Sequence, residues 1–140
     1  MSKDVKIKRG ANINLKGAAE KLHTNTITAT EVVLKPTDFP TLIPKLSVKV
    51  GDKVKAGSPL FYNKEVEEVL FTSPVSGEVI DIVRGDKRKI LEIKVKADAE
   101  IQYESFKQAD AATLSREEVI ENMLKSGVWP FIRQRPYDII

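Results

Sequence analysis

The sequence predicts a mainly β protein that ends in one helix. Three observations lead there. Between residues 46 and 97, short apolar–polar alternations such as EVIDIV (78–83) and KILEIKVKA (89–97) are separated by tight turns. A Gly-Asp-Lys turn occurs at Gly51–Lys53 and again at Gly85–Lys87, as though two similar hairpin halves were joined. After Ala97 the strand pattern stops, and a helical apolar period takes over near the C-terminus. Period two marks a half-buried strand, and the longer period marks an amphipathic helix.

The elements follow in order. Residues 1–30 are polar and irregular, punctuated by Gly10, Asn12, Asn14 and Gly17, with Val5-Lys6-Ile7 as a short strand. TNTITATEVVLKP (24–36) is rich in β-branched residues and predicts a strand near Thr30–Leu34. Pro36, Pro40 and Pro44 then impose a loop or a sheet edge, because proline donates no ladder hydrogen bond. Val48, Val50 and Val54 frame the first Gly-Asp-Lys turn. In both copies glycine is expected at positive φ, with aspartate bonding its own backbone. Leu60-Phe61 opens another strand, and Val69 and Phe71 alternate with Thr72. In KILEIKVKA the inward set is Ile90 or Leu91, then Ile93 and Val95.

Residues 98–114 read as a polar linker, tacked down by Tyr103 and Phe106. LSREEVIENMLKSGVWP reads as a helix. Ser115 is its N-cap and Glu118 completes a capping box. Val119, Ile120, Met123 and Leu124 form one apolar face. Lys125 suits the negative end of the helix dipole, and Gly127 suits a left-handed stop. The organisation is therefore an N-terminal segment (1–30) packing on a β domain (31–97), a linker (98–114), and a helix with the start of a further domain (115–140). The tail VWPFIRQRPYDII ends on apolar residues, and an α/β domain is expected beyond it.

Composition narrows the function. The chain has 140 residues, no cysteine and one histidine, His23. Disulfides, thiolate metal sites, iron–sulfur ligation and cysteine nucleophiles are excluded, as is any two-histidine metal site. His23 reads as solvent-facing, and Asp52 and Asp86 read as turn residues rather than a carboxylate pair. The net charge of +3 is mild, and aromatics make up only 6% of the chain, not interleaved with the basic residues. That argues against nucleic acid. No run of about 18 apolar residues is present, so no membrane span is expected. The N-terminus lacks the apolar core of a secretory leader.

V-x-V-G-D-x-V-x-x-G-x-x-L (48–60) followed by S-P-V-x-G-x-V (73–79) resembles the biotinyl/lipoyl carrier fold, a barrel-sandwich hybrid. Counting back from Pro74 to the carrier's modified lysine reaches Val66. The nearest lysine is Lys64, in Asn-Lys-Glu rather than Met-Lys-Met or Asp-Lys-Ala. The resemblance implies the fold without its cofactor attachment site.

The longer pattern is narrower. IKRGANINLKG (7–17), VKVGDKVKAGSPLF (48–61), FTSPVSGEVIDIVRGDKRKI (71–90) and LKSGVWPFIRQRPYD (124–138) come in this order. Together they resemble the N-terminal region of the A-subunit of the sodium-translocating NADH:quinone oxidoreductases. That resemblance implies a peripheral subunit on the cytoplasmic side of the bacterial inner membrane. Its partners would be the other subunits of the complex, and ubiquinone a candidate ligand. NADH, flavins and iron–sulfur centres would belong to the whole complex. Related flavoprotein subunits carry a Gly-rich phosphate loop after a comparable helix. Here the matching place reads VWPFIRQRPYD, where Pro130 and Pro136 remove two backbone donors. No flavin is therefore expected to bind, and no catalytic, cofactor-binding or metal-ligating residue is assigned. The alternatives are an unmodified carrier-like binding module and a fragment like the C-subunit of the Rnf complex.

Trp129, Phe131, Arg133, Arg135 and Tyr137 form the densest aromatic–cationic cluster. They read as a quinone or partner contact, or as residues that pack on a downstream domain. Phe39, in the Pro-rich loop KPTDFPTLIPK (35–45), is a second contact candidate. RGDKRK (84–89) is basic, and reads as a solvated turn or as a face toward anionic headgroups.

Overall fold

Two packed sheets follow from the short alternating runs. The computed structural model describes residues 10, 16–18, 20–23, 25, 28–106, 108–110 and 112–140. The expected strand at Val5–Ile7 lies outside them. Among the described residues the strands are β1 (Glu31–Leu34), β2 (Pro44–Leu46), β3 (Lys53–Val54), β4 (Pro59–Asn63), β5 (Leu70–Thr72), β6 (Gly77–Arg84) and β7 (Ile90–Ala97). One sheet has the order β1-β7-β6-β3 and the other β2-β4-β5, with every pairing antiparallel. The fold is mainly β, a barrel-sandwich hybrid with one helix near the C-terminus, as the sequence predicts.

β7 lies between β1 and β6, and its buried residues are Ile90, Ile93 and Val95. Ile90 and Ile93 are three apart, which strict alternation forbids. The register explains it. Val83 pairs with Glu92 and Arg84 with Ile90, so Leu91 is an extra residue. A bulge of this kind re-aims the side chains beyond it. A second bulge corrects the simple reading of EVIDIV. Val79 pairs with Val95 and Asp81 with Lys94, which leaves Ile80 over. Ile80 is turned outward, while Val79 is fully buried and Ile82 packs against the core.

The two Gly-Asp-Lys turns are not built alike. Gly51 has φ 93°, and the Asp52 carboxylate accepts the Lys49 N–H at 2.8 Å. This turn carries the chain from β2 in one sheet to β3 in the other, and Gly51 N–H donates to Val79 C=O at 2.7 Å. The second turn closes the β6–β7 hairpin inside one sheet. There Gly85 has φ −99°, and the left-handed positions fall on Lys87 (52°) and Arg88 (61°). The positive φ expected at Gly85 is thus displaced two residues along, because a bulged hairpin needs its reversal later in the loop.

The core is drawn from both sheets. Leu60, Phe61, Val79, Ile93 and Val95 are essentially inaccessible. Phe61 and Phe71 stack at 4.6 Å, and Phe39 meets Phe71 edge-on at 4.6 Å. Such ring pairs each add about 0.5–1.5 kcal/mol beyond area burial.

The linker is held, though not by its aromatics alone. Tyr103 pairs with Ala56 through backbone: Ala56 N–H donates to Gln102 C=O, and Glu104 N–H to Ala56 C=O. The Tyr103 ring itself is 71% exposed. Buried Ser76 donates to Asp98 and accepts the Gln102 N–H, both at 2.9 Å. The Phe106 ring lies over Gly57.

The helix α1 spans Arg116–Lys125. Ser115 and Glu118 form the capping box, with Glu118 N–H to Ser115 Oγ at 3.3 Å and Ser115 N–H to Glu118 Oε2 at 2.9 Å. At the other end Gly127 N–H donates to Leu124 C=O and Val128 N–H to Met123 C=O. With Gly127 at φ 72°, this is the left-handed stop that the sequence predicts.

Candidate functional site

Of the six contact candidates, the structure brings three into one stack. Phe39 is anchored by Pro36, which starts a short 3-10 turn, and its ring is edge-on to Phe71 in the core. On its outer side Phe131 approaches at 6.2 Å, and the Arg133 guanidinium lies 5.5 Å above the ring. Arg133 is itself oriented by Asp138, Nη1 to Oδ2 at 2.8 Å. The Pro-rich loop and the C-terminal segment, two separate candidates in the sequence, are therefore one surface. No sequence signal links residues so far apart.

Trp129 behaves differently. It is half-buried and packs against the core, with buried Pro130 beside it in the 3-10 turn Trp129–Phe131. Arg135 and Tyr137 are exposed and stand outside the Phe39 stack. A bridge between Gln134 and Ile139 folds this stretch into a tight loop. Val128, Phe131, Ile132, Tyr137 and Ile139 are all large, apolar and exposed, Phe131 by 72% and Tyr137 by 70%.

Two open grooves flank the barrel. One, of about 650 Å³, runs between the β4–β5 hairpin and α1. Leu70, Ile120 and Leu124 line it, with Glu67, Glu68, Glu117 and Glu121 around them. It explains why the apolar face of α1 is only half-buried. The other, of about 580 Å³, lies between β2 and the β6–β7 turn. Its polar lining is wholly cationic: Lys45, Arg84, Arg88 and Lys89. Nothing in the sequence singles out Lys45, because the fold alone sets β2 against that turn. The Lys45 pKa is raised above 10.5, first by Tyr62, through a hydrogen bond and charge, and then by the Glu67 carboxylate.

The remaining readings fall on exposed positions. Lys64 is exposed in the β4–β5 hairpin, where its N–H donates to Ile43 C=O. His23, Asp52 and Asp86 are also exposed. Among the described residues no three histidine, aspartate or glutamate side chains gather at metal-binding distance, and no helix is long and apolar enough to cross a membrane.

Comparisons with known proteins converge on one family. A family model described as the NqrA N-terminal barrel-sandwich hybrid domain matches residues 5–98. A second, the NqrA second alpha/beta domain, matches residues 114–140. The chain is 38% identical over 135 residues to the A-subunit of the Na(+)-translocating NADH-quinone reductase of Hahella chejuensis, covering 95% of this chain and 30% of that protein. It is 38% identical over 138 residues to the A-subunit of the same reductase in Neisseria meningitidis serogroup A, covering 97% and 31%. The A-subunit from Actinobacillus pleuropneumoniae serotype 5b is 36% identical over 135 residues, covering 95% and 30%. The chain thus spans about 30% of the length of these relatives. With its barrel matched across residues 5–98, this chain belongs to the NqrA family, that of the A-subunits of Na(+)-translocating NADH-quinone reductases.

Proposed function

We propose that the chain is a docking part of a peripheral subunit in a sodium-translocating NADH-quinone reductase, and that it performs no chemical step itself. The observation that carries this reading is the exposed apolar segment Val128–Ile139, held on the barrel through Phe39 and Trp129. Exposed apolar side chains gathered in one short segment mark an interaction surface. Aromatic and arginine residues are the types that dominate such contacts. The partners are the rest of the reductase: the remainder of the NqrA protein and the other subunits, at the cytoplasmic face of the bacterial inner membrane.

Ubiquinone is a second ligand for the same surface. Phe39, Phe131 and Arg133 supply flat apolar faces beside a cationic donor, which suits a quinone ring. NADH, flavin and iron–sulfur chemistry belongs to the rest of the complex. A flavin phosphate needs clustered backbone donors, and Pro130, buried in the turn after α1, has none to offer.

The test is co-purification of the full-length A-subunit, carrying Phe131→Ser with Tyr137→Ser, with the other subunits of the reductase. Reduced recovery with an unchanged barrel fold is expected. Recovery equal to that of the unsubstituted protein would overturn the reading.

A further inference from the structure

The cationic groove between β2 and the β6–β7 turn adjoins the Phe39 loop, with Leu42, Pro44, Lys89 and Ile90 between them, but its cationic rim takes no part in the Phe39–Phe131–Arg133 stack. Residues 84–89 hold four cations (Arg84, Lys87, Arg88, Lys89) against one carboxylate (Asp86), so this turn alone carries +3, the net charge of the whole chain. Elsewhere, acids and bases balance. Among the described residues, Arg84, Arg88 and Lys89 make no ion pair, whereas Lys35, Lys55, Lys94 and Lys125 each pair with a carboxylate. Lys45 joins the rim from β2, 3.6 Å from Glu67.

The floor is apolar. Leu42, Leu46 and Ile90 line it, and Ile43 stands 48% exposed at its edge. An anionic group with an apolar body attached would match rim and floor together. β2 is an edge strand, which invites the thought of an extended peptide. Yet it is three residues long, starts with Pro44 and carries Lys45, which are the features that block strand addition. The groove is thus read through side chains rather than backbone. Concentrated positive charge beside an exposed aliphatic residue is what a planar anionic surface recognises, since the attraction scales with charge and needs no fixed partner geometry.

We propose that this face docks on an anionic phospholipid surface, with phosphates at the Arg84–Lys89 rim and Ile43 among the headgroups. The test is co-sedimentation of the 140-residue chain with vesicles of phosphatidylcholine alone, and of phosphatidylcholine mixed with phosphatidylglycerol. Binding is expected only to the mixed vesicles, weakening as salt rises. Arg88→Gln with Lys89→Gln should bind about 30-fold more weakly, from two lost surface cations. Lys53→Gln with Lys55→Gln removes the same charge on the β3 side and should bind as the parent does. Ile43→Ser should weaken vesicle binding without changing the salt dependence.

Four outcomes would overturn the proposal. One is no binding to mixed vesicles. A second is equal loss in both double variants, which reports net charge alone. A third is full displacement by inorganic phosphate where chloride at the same ionic strength leaves the chain bound, which makes the site one for free phosphate. The fourth is retention on a Glu-rich peptide with none on vesicles, which makes it a site for an acidic protein.

Discussion

Gly127 stands directly over Thr72: a Cβ at Gly127 would lie 2.5 Å from the Thr72 hydroxyl oxygen and 2.6 Å from its methyl carbon. The end of α1 thus touches β5 with nothing larger than a hydrogen between them. Glycine is needed there twice over, for space and for its φ of 72°. The segment after the helix starts from this contact and runs on through the turn Trp129–Phe131, where the Phe131 ring meets Phe39.

Gly127→Ala should therefore destabilise the chain by about 2–5 kcal/mol, the sum of left-handed strain and overpacking. Thr72→Ala in the same chain should recover the overpacking part and leave about 1–2 kcal/mol. Urea unfolding of the two variants checks this. A fully tolerated alanine would mean that the helix end does not sit on β5.

Ser76 ties the linker to the barrel through its paired bonds to Asp98 and Gln102. Ser76→Ala should cost about 1–3 kcal/mol, because the Gln102 N–H loses its acceptor. Amide exchange at Gln102 and Glu104 should accelerate more than exchange in β7.

Phe71 is the hinge between core and surface, stacked on Phe61 and edge-on to Phe39. Phe71→Ala should cost about 3–5 kcal/mol, as for other buried aromatic truncations. Phe131→Ser should stay within about 0.5 kcal/mol, because its ring is mostly solvated. Thermal unfolding separates the two, and a large loss for Phe131→Ser would make that residue structural rather than a contact.

Lys45 binds its proton more tightly in the folded chain, chiefly through Tyr62. The stabilisation this brings is complete below the unfolded pKa of 10.5, and is lost as pH rises through the raised folded value. Tyr62→Phe should lower the Lys45 pKa toward 10.5 and flatten that alkaline loss. NMR titration of the lysine side chain reads the first, and alkaline unfolding curves the second.

Much of this fold is legible in the sequence where charge alternates with aliphatic residues. KILEIKVKA reads as a strand because its lysines and glutamate cannot be buried cheaply. The capping box at Ser115 and the stop at Gly127 are local, so a few adjacent residues suffice to see them. Bulges are not local. Ile80 and Leu91 become extra residues only through their partner strand, so the side each faces is set across the sheet. The same is true of the second Gly-Asp-Lys turn, whose letters match the first but whose backbone answers to a hairpin. The site candidates show the same division. Phe39, Phe131 and Arg133 are visible as residue types, while their stacking joins two stretches that lie far apart in the chain. Lys45 and Ile43 are silent, because nothing in β2 or the residue before it points to the turn they face.

The most direct test of the docking account is hydrogen exchange on the chain alone and on the same residues within the assembled reductase. Strong added protection at residues 128–139 and 36–44, with the β6–β7 core unchanged, is the predicted result. Unchanged exchange in both stretches, with protection appearing only elsewhere on the barrel, would contradict it.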